Sequence, residues 1–336
     1  MQIIKIFISI CVFVFLCYST AFAGGECPMH SSITTAATPD GKFGLHLQYE
    51  YSYMKTLREG RSSISPDEVI NKKWMMGSSF SVPTEMVMRK YTLLANYVPA
   101  ERFQLMLAIP YIVNDMDMRM KDAMGMIMDM TMDTVDGLGD ITLMGIYNLY
   151  RDLPDKPTKR DSGGLGIKMP TGENDVRTKN GNLVHAMMQP GTGSWDPIFL
   201  VNAMHIMKSV SFHFNGSYHL ATKGDEGYEF GDMISADLIA RYQALDSISL
   251  GLGLNFIHAG RDKDHDGKYS KPATSMIDNT ENTGITAFYL SPEIQVRFLN
   301  TGGSLLLRFQ KPIHQDVNGI QQVVNWRTMA SLMWVF

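Results

Sequence analysis

The chain has 336 residues, with 30 Lys and Arg against 34 Asp and Glu and a formal net charge of -4; that near-balance excludes the basic footprint of a nucleic-acid binder. Hydrophobic residues make up 45% and charged residues 19%, which excludes a disordered polar chain, and 3 cysteines are too few for a disulfide scaffold. A mean hydropathy of -0.09 is too low for a helical membrane bundle, yet it suits a membrane barrel, in which only alternate residues are apolar.

Residues 1–23 read as a secretory signal. Lys5 supplies the positive end, Ile6–Tyr18 the apolar run, and Ala21-Phe22-Ala23 the small-x-small pattern before cleavage. No later segment offers 18 consecutive apolar residues, so no membrane helix is expected. Residues 24–41 are expected to form a periplasmic segment. It contains Cys27-Pro28-Met29-His30, which resembles the core of short heavy-metal-binding segments on copper pumps and efflux components. Cys27, Met29 and His30 are soft ligands within reach of one ion. The plain alternative is a tail whose lone cysteine has no role.

From residue 42 to 336 the dominant period is two. Phe103, Leu105, Leu107, Ile109, Tyr111 and Val113 are apolar at odd positions. Ile248, Leu250, Leu252, Leu254 and Phe256 alternate with Ser249, Gly251, Gly253 and Asn255. Each such run has one greasy and one polar or small face. Twelve strands are expected, near 42–54, 86–98, 102–114, 138–151, 160–170, 194–207, 209–221, 231–244, 247–260, 284–299, 303–315 and 320–336. No helical pattern of useful length interrupts them. Their connections alternate short and long, with the longest near 55–85, 115–136, 171–193 and 261–283. That arrangement predicts an all-β fold: an antiparallel up-and-down transmembrane barrel of about twelve strands in the outer membrane. The inward phase places His46, Gln48, Glu50, Lys90, Asn96, Asn215 and His219 along the lumen, with His213 beside them. Tyr49, Tyr51, Tyr53, Tyr91, Tyr97, Tyr289 and Trp334 fit interface girdles.

Of the 26 methionines, eight crowd into residues 114–133, at 116, 118, 120, 124, 126, 128, 130 and 132. All are even-numbered, the lumen-facing phase of the preceding strand. Two readings of Met116, Met118, Met120, Met124, Met126, Met128, Met130 and Met132 stay open. One is packing by a flexible, polarisable side chain. The other is contact with Cu(I) or Ag(I), because a thioether is a soft ligand that cannot be protonated. Met-x-Met repeats mixed with Asp resemble the methionine-rich motifs of periplasmic copper proteins. On one strand alone such sulfurs lie about 6–7 Å apart, so facing strands are needed to bring them to one ion.

Three further segments follow: Gly137-Leu138-Gly139-Asp140, Lys168-Met169-Pro170-Thr171-Gly172 and Gly191-Thr192-Gly193-Ser194-Trp195-Asp196-Pro197, with a later Gly231-Asp232. Their order and surroundings resemble the outer-membrane transporter family related to the phenol-degradation meta-pathway protein. The resemblance implies a barrel in the outer membrane and, by the family name, a channel for aromatic compounds. Read from the residues alone, the glycines permit tight turns and close backbone approach, and Asp140 and Asp196 hold hydrogen bonds at the rim. Further on, Asp262-Lys263-Asp264-His265-Asp266-Gly267 matches the first half of an EF-hand loop, so Asp262, Asp264 and Asp266 are candidate Ca2+ ligands. Position 12 is Ala273, so the bidentate Glu is missing.

The last run, Val324, Trp326, Thr328, Ala330, Leu332, Trp334 and Phe336, forms one face and ends on an aromatic. It resembles the signal read by the barrel assembly machinery, an expected partner beside outer-membrane lipid. No nucleophile elbow, zinc motif, phosphate loop or dinucleotide fingerprint is present, so no enzyme is expected. The expected function is a channel for a small solute, linked to copper or silver ions. The alternatives are a channel for hydrophobic or aromatic compounds, and an adhesive or structural barrel without transport.

Overall fold

A computed structural model describes residues 43–154, 157–298 and 301–336. The expected signal segment and the Cys27-Pro28-Met29-His30 segment lie outside these residues. Twelve strands wind antiparallel around a barrel: β1 (Phe43–Glu59), β2 (Phe80–Ala100), β3 (Phe103–Lys121), β4 (Ile141–Arg151), β5 (Lys159–Met169), β6 (Asp196–Met207), β7 (Val210–His219), β8 (Met233–Leu245), β9 (Ile248–Ala259), β10 (Ile285–Phe298), β11 (Gly303–Val317) and β12 (Ile320–Val335). Each pairs with its chain neighbours, and β12 closes on β1 from Gly44↔Val335 to Glu59↔Ile320. Phe43 and Phe336 exchange backbone hydrogen bonds at the seam. Short turns lie at one end of the barrel; at Lys208 the turn is tight enough to force φ to 55°.

The period-two reading sorts the faces. Even residues of β1 through β6 point inward, where His46, Gln48, Glu50, Asn96, Met106, Met144 and Asp196 are buried. Leu47, Tyr91, Leu105, Leu143 and Phe199 face outward and are exposed, as a lipid-facing band requires. Trp326 stacks on Tyr51 and Phe309 at one level, and Trp334 packs with Phe298 at another. The two tryptophans are eight residues apart on β12, roughly 26 Å along a strand, which spans an apolar band once tilted. Tyr289 departs from the expected girdle. It is 1% exposed inside the barrel, its ring beneath the Arg327 guanidinium.

The first three strands outrun their expected ends, because the alternation continues past the membrane into the outer loops. Their tops pack with a helix the strand pattern did not reveal, α1 (Pro66–Lys73). Its signal was present in Ser65-Pro66-Asp67-Glu68: Ser65 caps the Glu68 amide and Glu68 reaches back to the Ser65 amide, a capping box worth on the order of 1 kcal/mol. Val69 and Ile70 then bury against Leu57, Phe80, Val82, Met276 and Ile320.

The segment between β5 and β6 folds back over the mouth, and the glycine motifs explain how. Asp140 accepts hydrogen bonds from the Gly172 amide at 3.0 Å, the Thr192 amide at 2.9 Å and the Thr192 hydroxyl at 2.6 Å. Gly172 and Gly191 cross so closely that a Cβ on Gly172 would sit 2.7 Å from Gly191 Cα. Asp196 accepts from the Thr222 amide at 2.8 Å, pairs with Lys168 at 2.6 Å and meets His219 at 3.1 Å. These residues therefore latch loop to wall. Asp140→Ala is expected to release the loop while the barrel stays folded: tryptic cleavage after Arg177 or Lys179 should rise at least about tenfold, the effect of losing roughly 1.4 kcal/mol of local stability, with unchanged heat-modifiable gel mobility.

Candidate functional site

The outer third of the barrel is filled by thioethers. Met86, Met116, Met118 and Met188 are buried together with Val135 and Val184, and Met54, Met88, Met132 and Met187 pack against them half-buried. The even phase of β3 carries Met116 and Met118 into this cluster, at 1% and 2% exposure. Beyond the wall the chain turns at Asp122–Gly125 and returns as a strand, Ile127–Thr131. Asp122 Oδ1 accepts from the Met124 and Met126 amides at 2.9 and 2.8 Å. The return keeps phase, with Met118↔Met130 and Met120↔Met128 directly opposite. Met120 is half-buried; Met124, Met126, Met128 and Met130 are exposed. The eight loop methionines thus divide between a buried mouth and an open hairpin. Beneath lies a cavity of about 40 Å³ lined by Met88, Lys90, Ile112, Asn114, Met187 and Phe230, among others.

Below the mouth the axis is closed by packed polar groups. Glu293 on β10 receives Arg241 from β8 and Arg308 from β11, the latter at 2.6 Å. Arg327, 0% exposed, bonds Ser52 at 2.8 Å and Gln310 at 2.6 Å and lies 3.5 Å from Glu50. Asn255 joins Asp237, Ser291 and Gln310. His46 meets Asn96 at 3.1 Å, and Gln104 bonds Asn96 at 3.0 Å. Gln48, Asn215 and His219 are buried on the same inner face, and Lys90 is half-buried beside the cavity. The residues assigned to the lumen therefore lie inside, as packing groups that fill it. The Arg241–Glu293–Arg308 cluster was not foreseen; its signal was charge at inward positions of three outwardly greasy strands.

The wall itself has an opening. The β11–β12 ladder stops at Gln310↔Arg327, whereas β11 stays paired to β10 up to Val317↔Ile285 and β12 stays paired to β1 up to Ile320↔Glu59. Two local features split the strands. On β11 the register slips between Phe288 and Tyr289, whose partners are His314 and Pro312, so Ile313 bulges out; Pro312 has no N–H for a ladder. On the other side the register slips around Met54 and leaves Asn325 unpaired. The Asn325 side-chain Oδ1 then accepts from the Lys55 and Thr56 amides at 2.7 and 3.1 Å. The slip also turns Val324 inward, against its expected outward face, where it buries against Met233, Tyr289 and Met54. The opening holds about 170 Å³ and is lined by Thr56, Arg58, Lys311, Ile313, Gln315 and Asn325, among others. Lys311 and Gln315 bridge it by bonding the Asn325 and Val324 carbonyls, each at 2.9 Å. Above, it is shut by Val317 N–H to Gly60 O at 3.2 Å and by Arg61–Asp316 at 2.6 Å.

A family profile described as "Putative MetA-pathway of phenol degradation" matches residues 93–317, well over half of the chain. The chain belongs to this family. Among solved structures, an outer membrane channel from Pseudomonas putida F1 is similar to it with a TM-score of 0.58 at 14% identity, covering 93% of this chain and 100% of that one. The P. putida toluene transporter TodX gives 0.45 at 8% identity, over 89% and 91% of the two chains. The β domain of the Bordetella autotransporter BrkA gives 0.44 at 8% identity, over 88% and 100%. No curated protein matches the sequence. For this family member the shared property is the fold, a closed antiparallel barrel of twelve strands.

The loop expected to hold calcium does not gather its carboxylates. Asp262 is buried and accepts from the Tyr228 hydroxyl at 2.6 Å and the Gly231 amide at 3.0 Å. Asp264 accepts from the amides of Gly267, Tyr269 and Ser270. Asp266 pairs with Lys223 at 2.9 Å. The alternating aspartates build the loop's own turns. Among the described residues no group of three or more His, Cys, Asp or Glu is placed to hold a metal. Burial pushes the Asp262 carboxyl up to about 7, against the opposing pull of its two hydrogen bonds. The folded loop thus keeps a proton that the unfolded chain releases near pH 4, so its stabilisation is complete below about pH 4 and is lost as pH rises toward 7. Asp262→Asn should slow tryptic cleavage after Lys263 relative to native, and by at least about tenfold more at about pH 8 than at about pH 5.5; an equal ratio at both pH values would show that this carboxyl does not titrate.

Proposed function

We propose that the chain is an outer-membrane channel that admits small apolar molecules, aromatic compounds among them, at its outer mouth and releases them sideways through the wall. The observation that carries this reading is the opening between β11 and β12. The axis below the mouth is packed with paired charges, which offer an apolar solute no favourable path. The mouth is lined by methionines, whose flexible side chains adapt to varied shapes and whose sulfurs contact aromatic rings favourably by about 0.3–1.5 kcal/mol. Met54 packs against both the methionine cluster and the cluster holding Val324, so apolar contact runs from the mouth to the edge of the opening. The outward band and its two aromatic levels support an outer-membrane position. The packed axis also separates the soft-cation expectation from conduction: thioethers on the hairpin suit binding at the outer surface, whereas the belt below is dominated by the paired charges of Glu293, Arg308 and Arg327, with the single thioether of Met329 opposite Arg308.

Filling the opening tests this. Gln315→Trp should cut uptake of labelled toluene into barrel-containing cells by about tenfold, the effect of a barrier increment near 1.4 kcal/mol, with unchanged barrel abundance. Uptake equal to native would remove the side exit. No uptake by the native chain, with no bilayer conductance, would favour a barrel without transport.

A further inference from the structure

We infer that the methionine face of the external hairpin is a binding site for a soft monovalent cation, Cu(I) or Ag(I). Packing accounts for only part of the stripe. Met116 and Met118 are covered, but Met128 and Met130 are 42% and 44% exposed, so burial gives no reason for thioethers there. The hairpin brings these sulfurs to one place. Met118 lies opposite Met130, and Met120 opposite Met128. Directly opposed residues have Cβ atoms about 4.5–5.5 Å apart, closer than neighbours along either strand, and three rotatable bonds per side chain let an opposed pair and a diagonal neighbour converge on one ion.

The two faces of the hairpin are chemically segregated. Asp117, Arg119, Asp129 and Thr131 occupy the other face and satisfy one another: Arg119 holds Asp129 at 2.7 Å and Asp67 at 3.0 Å, and Thr131 donates to Asp117 at 2.7 Å. The tip is fixed by Trp74, whose indole N–H bonds the Asp122 carbonyl at 2.9 Å while Lys121 lies over its ring at 4.1 Å. The carboxylates are thus spent on the back, and the front presents neutral sulfur alone. Such a face gives a hard cation nothing to bind, while Cu(I) and Ag(I) prefer it. Because a thioether takes up no proton, binding is independent of pH across the range in which histidine or cysteine sites weaken.

The test uses the full-length folded barrel with its cysteines changed to serine, which removes the competing thiol of Cys27. Ag(I) titration by calorimetry should give one site per chain, with the same affinity at about pH 5 and pH 7. The Met128→Leu/Met130→Leu variant keeps volume and apolarity and should weaken it at least tenfold, with native heat-modifiable mobility. Labelled methionine methyl signals of Met118, Met120, Met128 and Met130 should shift with Ag(I), while those of Met106 and Met144 stay in place. Absence of Ag(I) binding, or a leucine variant that binds as well as the parent, overturns the assignment. The site stands apart from solute passage: toluene uptake and its response to Gln315→Trp are read without metal.

Discussion

Closure of the sheet governs everything else in this molecule. Hydrocarbon supplies no partner for a backbone N–H or carbonyl, so a sheet in the membrane must have no free edge. Here β12 meets β1 along the full length of both strands, and the circle contains twelve. A barrel of that size is narrow, and inward side chains must fill it. The alternation of the sequence then has a fixed meaning: one phase must suit lipid, and the other must suit the company of eleven opposing strands.

The chain fills its interior in two ways. In the outer third it uses methionine, which fits an irregular volume where several loops fold inward. In the middle it uses charge. Glu293 between Arg241 and Arg308, with Arg327 beside Glu50, takes ions out of water at considerable cost, offset at Glu293 by donors from two arginines. The wall opening follows from the same constraint. Where the β11–β12 ladder ends, its polar groups are not abandoned: Asn325, Lys311 and Gln315 take the place of missing strand partners. An opening built this way is framed by polar groups, at the outer edge of the greasy band.

The barrel was legible from period two alone because each strand's outward face answers to the same solvent. All twelve strands, and the inward assignment of His46, Glu50, Asn96, Met116 and Met118, follow from phase, whereas Met124, Met126, Met128 and Met130 lie exposed on the outer hairpin. What escaped depends on register across strands. Tyr289 reads as a girdle aromatic, yet it lies inward because β10 keeps its odd residues inside. Val324 belongs to a regular outward face until Asn325 is left unpaired, and no single strand reveals that slip; Pro312 was the one local sign that β11 cannot be regular. Helix α1 escaped for another reason. It is a single capped element of eight residues, too short for periodicity, although Ser65 and Glu68 spell its start. The aspartates of 262–266 have a structural use in this fold. A local pattern suggested a ligand set, but short acidic side chains serve equally to bond the amides of their own loop.

The Arg241–Glu293–Arg308 cluster has a mechanical consequence. It ties β8, β10 and β11 together along one row of the inner wall, over Gly251 of β9, below the point where the wall loses its ladder. The barrel therefore has two parts with different stiffness on one set of strands: a braced cylinder near the short turns, and a collar in which one seam, β11 to β12, is joined by side chains. A deformation imposed on the collar, by a solute or by the lipid around it, is absorbed there and stops at the brace.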